Sequence, residues 1–346
     1  MRVVTSDRHR GHSPLAEIES SGLQPPFEHP GRADAIHDVL AGDDRFVLVE
    51  PDEWGTAPIA AVHDPGLIDF LARAWADYQL RHPGTHDVVP DIFAMPGLLE
   101  GVGSFPPRSL VDHELGRWCF ETTTPITEGT FDAARSAVDV ALTATRAVLD
   151  GERTVYGLCR PPGHHAPTAL YGGYCFFNNA AIAAHHVSTA TGSKVTVLDV
   201  DYHHGNGTQQ IFYRRGDVQY VSLHGDPARA YPYLSGFADE TGAGRGARAN
   251  LNLPLATGTD DDAYVASLGS ACEAIEVFGP SMVIVSLGVD TFHNDPISDL
   301  AVTTDGFRAQ GELVAQLALP TVVLQEGGYD VDAIGDNVRS FLLGVG

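Results

Sequence analysis

Lysine is all but missing: the 346 residues contain one, Lys194. Lys and Arg together number 21 against 45 Asp and Glu, a formal charge of −24. Gripping nucleic-acid phosphates needs a basic face, so that class of partner is set aside. Cysteine is scarce as well. Cys119, Cys159, Cys175 and Cys272 sit in apolar surroundings without CxxC spacing, which reads as buried thiols in a reducing compartment and not as a disulfide frame. No apolar run reaches the roughly 18 to 20 residues that cross a bilayer. The opening MRVVTSDRHRGHS lacks the charged start, apolar stretch and cleavage site of a signal peptide. There is no internal repeat and no low-complexity tract. The expectation is a soluble cytoplasmic protein with no nucleic-acid or membrane partner.

What remains is a chain that is 43% hydrophobic, ample for a packed core, with acidity that favours solubility and cationic ligands. From about residue 150, apolar runs alternate with helical patterns. Strands are predicted at Val155–Leu158, Val195–Val200, Val218–Leu223, Met282–Leu287 and Pro320–Gln325. They show no in/out alternation, as strands buried on both faces of a parallel sheet should not. Helices are predicted at Phe131–Leu149, with Thr130 as N-cap and Gly151 as stop, and at Asn179–Thr189, Ala263–Phe278 and Gly306–Ala318. Strand–helix alternation implies a doubly wound α/β sheet. One segment breaks the rhythm. His82–Leu115 has five prolines and no period, too long for a passive connector, and reads as an ordered lid or partner-contact loop.

Ligands of open α/β sheets bind beyond the carboxyl ends of the strands. Those positions hold Arg160-Pro-Pro-Gly-His164-His165, Asp201-Tyr-His203-His204-Gly-Asn206, Gly288-Val-Asp290 and Glu326-Gly-Gly-Tyr329-Asp330. Asp201, His203 and Asp290 form a two-carboxylate, one-imidazole set suited to Zn²⁺ or Fe²⁺, with positions left open for water and substrate. Such a metal polarises a carbonyl and lowers the pKa of water. His164 and His165 beside it can act as general base and general acid. Asp199, two residues before Asp201, faces the same way and can orient an imidazole. Tyr329, on a Gly-Gly turn, can stabilise an oxyanion. Metal, base and oxyanion donor together specify amide hydrolysis.

The motifs RPPGHH (160–165), GGYCFFNNAA (172–181), LDVDYHHGNGTQ (198–209), SLGVDTFHNDP (286–296) and QEGGYD (325–330) resemble the histone deacetylase superfamily in order and spacing. Details such as SLHGDP and YPYLSGFADETGAG resemble its bacterial acetylpolyamine amidohydrolases more than eukaryotic class I enzymes. The resemblance implies a single domain of the arginase–deacetylase fold, an eight-stranded parallel sheet flanked by helices. It implies Asp201, His203 and Asp290 as ligands of Zn²⁺, with Fe²⁺ or Co²⁺ also possible. His165 becomes the proton shuttle and His164 its electrostatic partner, hydrogen-bonded to Asp199. Tyr329 matches the catalytic tyrosine, Tyr174 and Tyr231 match the aromatic tunnel walls, and the Gly173 carbonyl is implied to accept the substrate N–H. A structural K⁺ is implied between Asp199, the carbonyls of Asp201, His203 and Leu223, and the Ser222 hydroxyl. Asn206 stands where class I enzymes have aspartate, so it stabilises the His165 imidazolium less.

The acyl amine itself is chosen at the mouth. The 82–115 loop matches in position and length an insertion that the resemblance associates with a homodimer interface and a constricted entrance. Asp112, Glu114 and Glu121 are candidates to pair with a polyamine's distal ammonium groups. Where the family pattern has a glutamate before Thr-Pro-Ile, this chain has Thr123-Thr124, with Glu121 slightly upstream. The expected activity is deacetylation of N-acetylpolyamines. Protein acetyl-lysine deacetylation, deacylation of another small amine, and silent acyl-amine binding are the alternatives.

Overall fold

A computed structural model describes residues 1–101 and 110–346 of the chain. Its strands in chain order are β1 Arg2–Val4, β2 Glu17–Glu19, β3 Gly22–Gln24, β4 Val47–Val49, β5 Thr154–Gly157, β6 Val195–Asp199, β7 Val218–Gly225, β8 Asn250–Leu255, β9 Met282–Leu287 and β10 Thr321–Gln325. Eight form one sheet in the order β4-β1-β5-β10-β9-β6-β7-β8, every pairing parallel. β2 and β3 form a separate antiparallel hairpin. The result is a single α/β domain with an eight-stranded parallel sheet.

The five predicted strands are β5, β6, β7, β9 and β10, each within two residues of its predicted ends. β6, β7, β9 and β10 are buried at every position. Helices on both faces explain why. Val155, Val197, Ile284 and Val322 pack on one side with Thr130–Leu149 and Asn179–Thr191. Tyr156, Leu198, Val283 and Val323 pack on the other with Gly31–Ala41, Asp261–Phe278 and Ile334–Val345. β1 and β4 escaped prediction because three residues carry too little pattern. β8 escaped because it is an edge strand of mixed burial with Pro254 in it, a residue edges tolerate.

Two local expectations need correction. Thr130 is the first residue of its helix, and Gly129 holds the cap position. The Thr130 hydroxyl instead accepts the Thr127 N–H at 2.7 Å and meets His12 Nδ1 at 2.9 Å, fixing the turn before the helix. The 82–115 segment is also more structured than its prolines imply; residues 102–109 of it lie outside the described residues. It contains the short helix Pro96–Leu99, and its end belongs to the helix Val111–Trp118. Val111, Leu115 and Trp118 are buried at i, i+4 and i+7, the spacing of one helix face.

This helix seats the inserted segment. The Ala94 N–H donates to the Gly116 carbonyl at 2.7 Å, and the Ile92 and Phe93 backbone crosses where a Cβ on residue 116 would lie. Gly116→Ala should therefore lower stability by about 1–3 kcal/mol, the usual range for overpacking. Thermal unfolding checks it: an unchanged Tm would mean that the segment is not seated there.

Candidate active site

Sheet order does what sequence order conceals. β5, β10, β9 and β6 are neighbours, with Gly157 level with Leu324, Gln325 with Leu287, and Ser286 with Asp199. The four motifs that follow these strands therefore emerge side by side at one sheet edge.

Asp201, His203 and Asp290 meet there, with one donor atom from each lying within 4.8 Å of the others. His203 Nδ1 is 3.0 Å from Asp290 Oδ2 and 3.4 Å from Asp201 Oδ1. Both carboxylates are aimed by backbone donors. Asp201 accepts from the His203 and Gly327 N–H groups, and Asp290 from that of Tyr202, each at 2.8 Å. Gly288 and Gly327 leave the space that these carboxylates fill; a Cβ at either would collide with them. Burial, then the neighbouring Asp201 charge, pushes Asp290 up to about 7. Two carboxylates so close and so buried call for a cation. The donor set and the strained charge both fit a divalent metal.

The tandem histidines lie beside this group, ring centroids 4.1 Å apart. Asn206 Nδ2 donates to the His165 carbonyl at 3.3 Å, which turns its Oδ1 toward His165 Nδ1 at 2.7 Å. That polarity puts the proton on Nδ1 and leaves the Nε2 lone pair free to take one. Burial, then the charges of His164 and His203, lower the His165 pKa well below its ordinary value. For His164 burial acts in the same sense, but Asp201 and Asp199 overcome it and raise the pKa well above normal. Its Nδ1 lies 3.1 Å from Asp199 Oδ2. The two environments push the imidazole pKa values in opposite directions, the separation that acid–base pairs use. Asp199 also accepts from the Tyr220 hydroxyl at 2.9 Å, and Ser222 Oγ lies 2.7 Å from His224 Nδ1.

A cavity of about 430 Å³ opens onto this group, lined by His165, Gly173, Tyr174, His203, Tyr231, Tyr329 and Glu121 among others. Tyr174 has φ +65°, a conformation that bulky residues rarely adopt, and Gly173 before it has φ +59°. Only glycine fits at 173, because a Cβ would lie 2.6 Å from the His165 ring. The Tyr174 and Tyr329 rings stand 5.8 Å apart, and Tyr231 meets His165 edge-on at 4.9 Å.

The rim carboxylates divide. Asp112 is not among the cavity's lining residues; Arg81 Nε reaches it at 2.6 Å and His82 also pairs with it. Glu114 is absent from the lining too, bound to Arg73 at 2.6 Å. Both face Arg73, Arg81 and His82, on or just after the separate helix Pro65–Arg81, instead of the cavity. Glu121 does line the cavity, but four donors engage it: the Thr123 N–H and hydroxyl, the Thr124 hydroxyl, and the Gly173 N–H at 3.0 Å.

Other residues shape the site: Glu326 and Arg160 sit in the motifs, whereas Arg32 and Glu28 carried no sequence signal. Glu326 Oε2 accepts the Gly163 and His164 N–H groups at 2.6 and 3.1 Å, which anchors the histidine loop. Arg32 lies over the Tyr329 ring at 4.5 Å and donates to the Glu326 and Gly328 carbonyls. Glu28 joins Arg32, at 2.9 Å, to Arg160, at 2.7 and 2.9 Å, with all three buried. Arg160 belongs to a recognised motif; its partner is 132 positions away.

Burial alone would raise the Glu28 pKa, but Arg160 and Arg32 draw it down to about 2 from 4.5. The stability it confers is therefore complete above about pH 4.5 and lost as pH falls toward 2. Glu28→Gln should flatten this acid limb and cost about 3–5 kcal/mol at neutral pH by leaving buried arginines uncompensated. Denaturant unfolding from pH 2 to 7 measures both; an acid limb identical to wild type would refute the assignment.

A family model described as the histone deacetylase domain matches residues 26–345. Acetylpolyamine amidohydrolase 1 of Pseudomonas aeruginosa is 44% identical over 346 residues, covering 99% of this chain and 98% of that protein. The acetylpolyamine amidohydrolase of Mycoplana ramosa is 39% identical, covering 100% and 99%. The crystal structure of acetylpolyamine aminohydrolase from Burkholderia pseudomallei matches with a TM-score of 0.93 and 38% identity, covering 100% of this chain and 98% of that one. With its motifs gathered on one sheet edge and its relatives alike over nearly their whole length, the chain belongs to the histone deacetylase family.

Proposed function

We propose that this chain deacetylates N-acetylpolyamines, using a divalent metal, zinc foremost and iron or cobalt as substitutes, held by Asp201, His203 and Asp290. The observation that carries this reading is one cavity lined by His203 of the three-donor group, by His165 with its free Nε2 and by Tyr329. The substrate class is supported by the names of the relatives, acetylpolyamine amidohydrolases at 39–44% identity over nearly full length. When bound, the metal supplies Lewis-acid polarisation of the acetyl carbonyl and makes water more acidic. His165 takes the proton of the attacking water at Nε2. Charged His164, set by Asp199, keeps that base neutral until it acts. The Tyr329 hydroxyl donates to the developing oxyanion, while the Gly173 carbonyl accepts the substrate N–H. Tyr174 and Tyr231 wall the methylene chain. His165 then passes its proton to the leaving amine. A potassium ion at Asp199, with the carbonyls of Asp201, His203 and Leu223 and the Ser222 hydroxyl, would offset charge buried behind the metal; Asp199 is fully buried.

Homodimer formation through the inserted segment belongs to the same proposal. Ile92, Met95 and Leu98 there expose about 60% of their surface, an apolar group suited to a self-complementary contact.

The metal-loaded protein should show higher kcat/KM for acetylputrescine and acetylspermidine than for acetyl-lysine peptides. Tyr329→Phe should lower kcat on the order of 10² to 10³ with KM nearly unchanged. Asp290→Ala should lose bound metal and turnover together. Preference for peptides would overturn the substrate assignment, and a fully metallated, active Asp290→Ala would overturn the ligand set. Deleting residues 86–108 should give a monomer, with relative activity shifted from polyamines toward small acetyl-lysine reporters. Mass in solution checks it, and a deletion that stays dimeric would remove the interface from this segment.

A further inference from the structure

The charges facing the cavity do not add up to a purely cation-selective mouth. Glu121 is engaged by four donors and is poorly placed to take a further partner. Glu19, at the end of β2, lines the same cavity and among the described residues has only the Ser21 hydroxyl on it, at 3.2 Å. Arg229 lines it as well. In a chain with more than twice as many acids as bases, its exposed guanidinium has no ion-pair partner among the described residues. Asp299, bonded to the neighbouring lining residue Tyr202, has both oxygens occupied, by the Tyr202 hydroxyl at 2.9 Å and the Thr257 hydroxyl at 2.5 Å. The backbone beneath Arg229 is fixed. Asp226 accepts the Arg229 and Ala230 N–H groups on its carbonyl, at 2.9 and 2.8 Å, and that of Ala228 on its side chain at 2.9 Å. A guanidinium on a fixed backbone and a carboxylate, neither in an ion pair among the described residues, share one cavity.

We infer that Arg229 and Glu19 together read a zwitterionic head, so that the site takes ω-N-acetylated α-amino acids in addition to acetylated polyamines. The α-carboxylate sits on Arg229, whose planar fork matches a carboxylate, and the α-ammonium on Glu19. This rests on the deacetylase reading and adds a selectivity that uniformly acidic walls would not give: a guanidinium repels a pure polycation and attracts the amino acid.

Nε-acetyl-L-lysine and N-acetylcadaverine make the test, because they differ only by the α-carboxylate. In metal-loaded wild-type protein both should be hydrolysed. Arg229→Ala should lower the ratio of their kcat/KM values, acetyl-lysine over acetylcadaverine, about tenfold. Arg229→Glu should lower it further while raising acetylcadaverine turnover, and Arg229→Lys should restore part of it. Glu19→Gln should weaken both substrates together, since both carry the ammonium. A ratio unmoved by Arg229→Glu, or wild-type activity on acetylcadaverine with none on acetyl-lysine, would overturn the inference and leave the deacetylase reading standing. Wild-type protein inert toward every acetylated amine would overturn both.

Discussion

Four carboxylates, those of Asp199, Asp201, Asp290 and Glu326, are shut off from solvent at one edge of the sheet. Burying charge on this scale is untenable unless each oxygen is met, and the architecture of that edge is largely the set of groups that meet them. Asp201 takes backbone donors from two motifs, Asp290 from a third residue's N–H, and Glu326 from the histidine loop. His164 Nδ1 and the Tyr220 hydroxyl serve Asp199. The bonds from Gly327 to Asp201, from Tyr202 to Asp290 and from the histidine loop to Glu326 cross from one strand-end loop to another, so the demand for compensation also aligns the loops. The charge left over between Asp201 and Asp290 is what makes the group a place for a cation.

A second buried assembly supports the first from outside the sheet. The Arg160–Glu28–Arg32 chain joins an N-terminal helix to the histidine and tyrosine motifs, and Arg32 touches the Tyr329 ring while holding its loop by two carbonyls. A buried ion network of this kind adds little stability over an apolar one, yet breaking it is costly. Its consequence here is geometric: Tyr329 has a fixed floor. The same division of labour occurs at Gly173, whose N–H is held by Glu121. An acidic residue at the mouth thus builds the wall instead of presenting an open charge, and among the described residues Arg229 and Glu19 are left outside any ion pair.

The sequence by itself determined the central strands and which residues make the candidate metal-binding group. Continuous β-branched runs can be stable only when buried on both faces, and Asp201 and His203 lie two residues apart, a spacing that a strand end converts directly into a shared direction. Tandem histidines and a tyrosine after two glycines are equally local. Tertiary structure decided what depends on distance in space without distance in sequence. Glu28 finds Arg160 only after the sheet closes, and the short β1 and β4 gain their partners only from the sheet. Asp112 and Glu114 show the same limit from the other side. Their acidity suggested a polyamine contact, but one helical turn after Leu110 aims them at Arg81, His82 and Arg73. A charge's type is written in the chain; which charge it faces is set by packing.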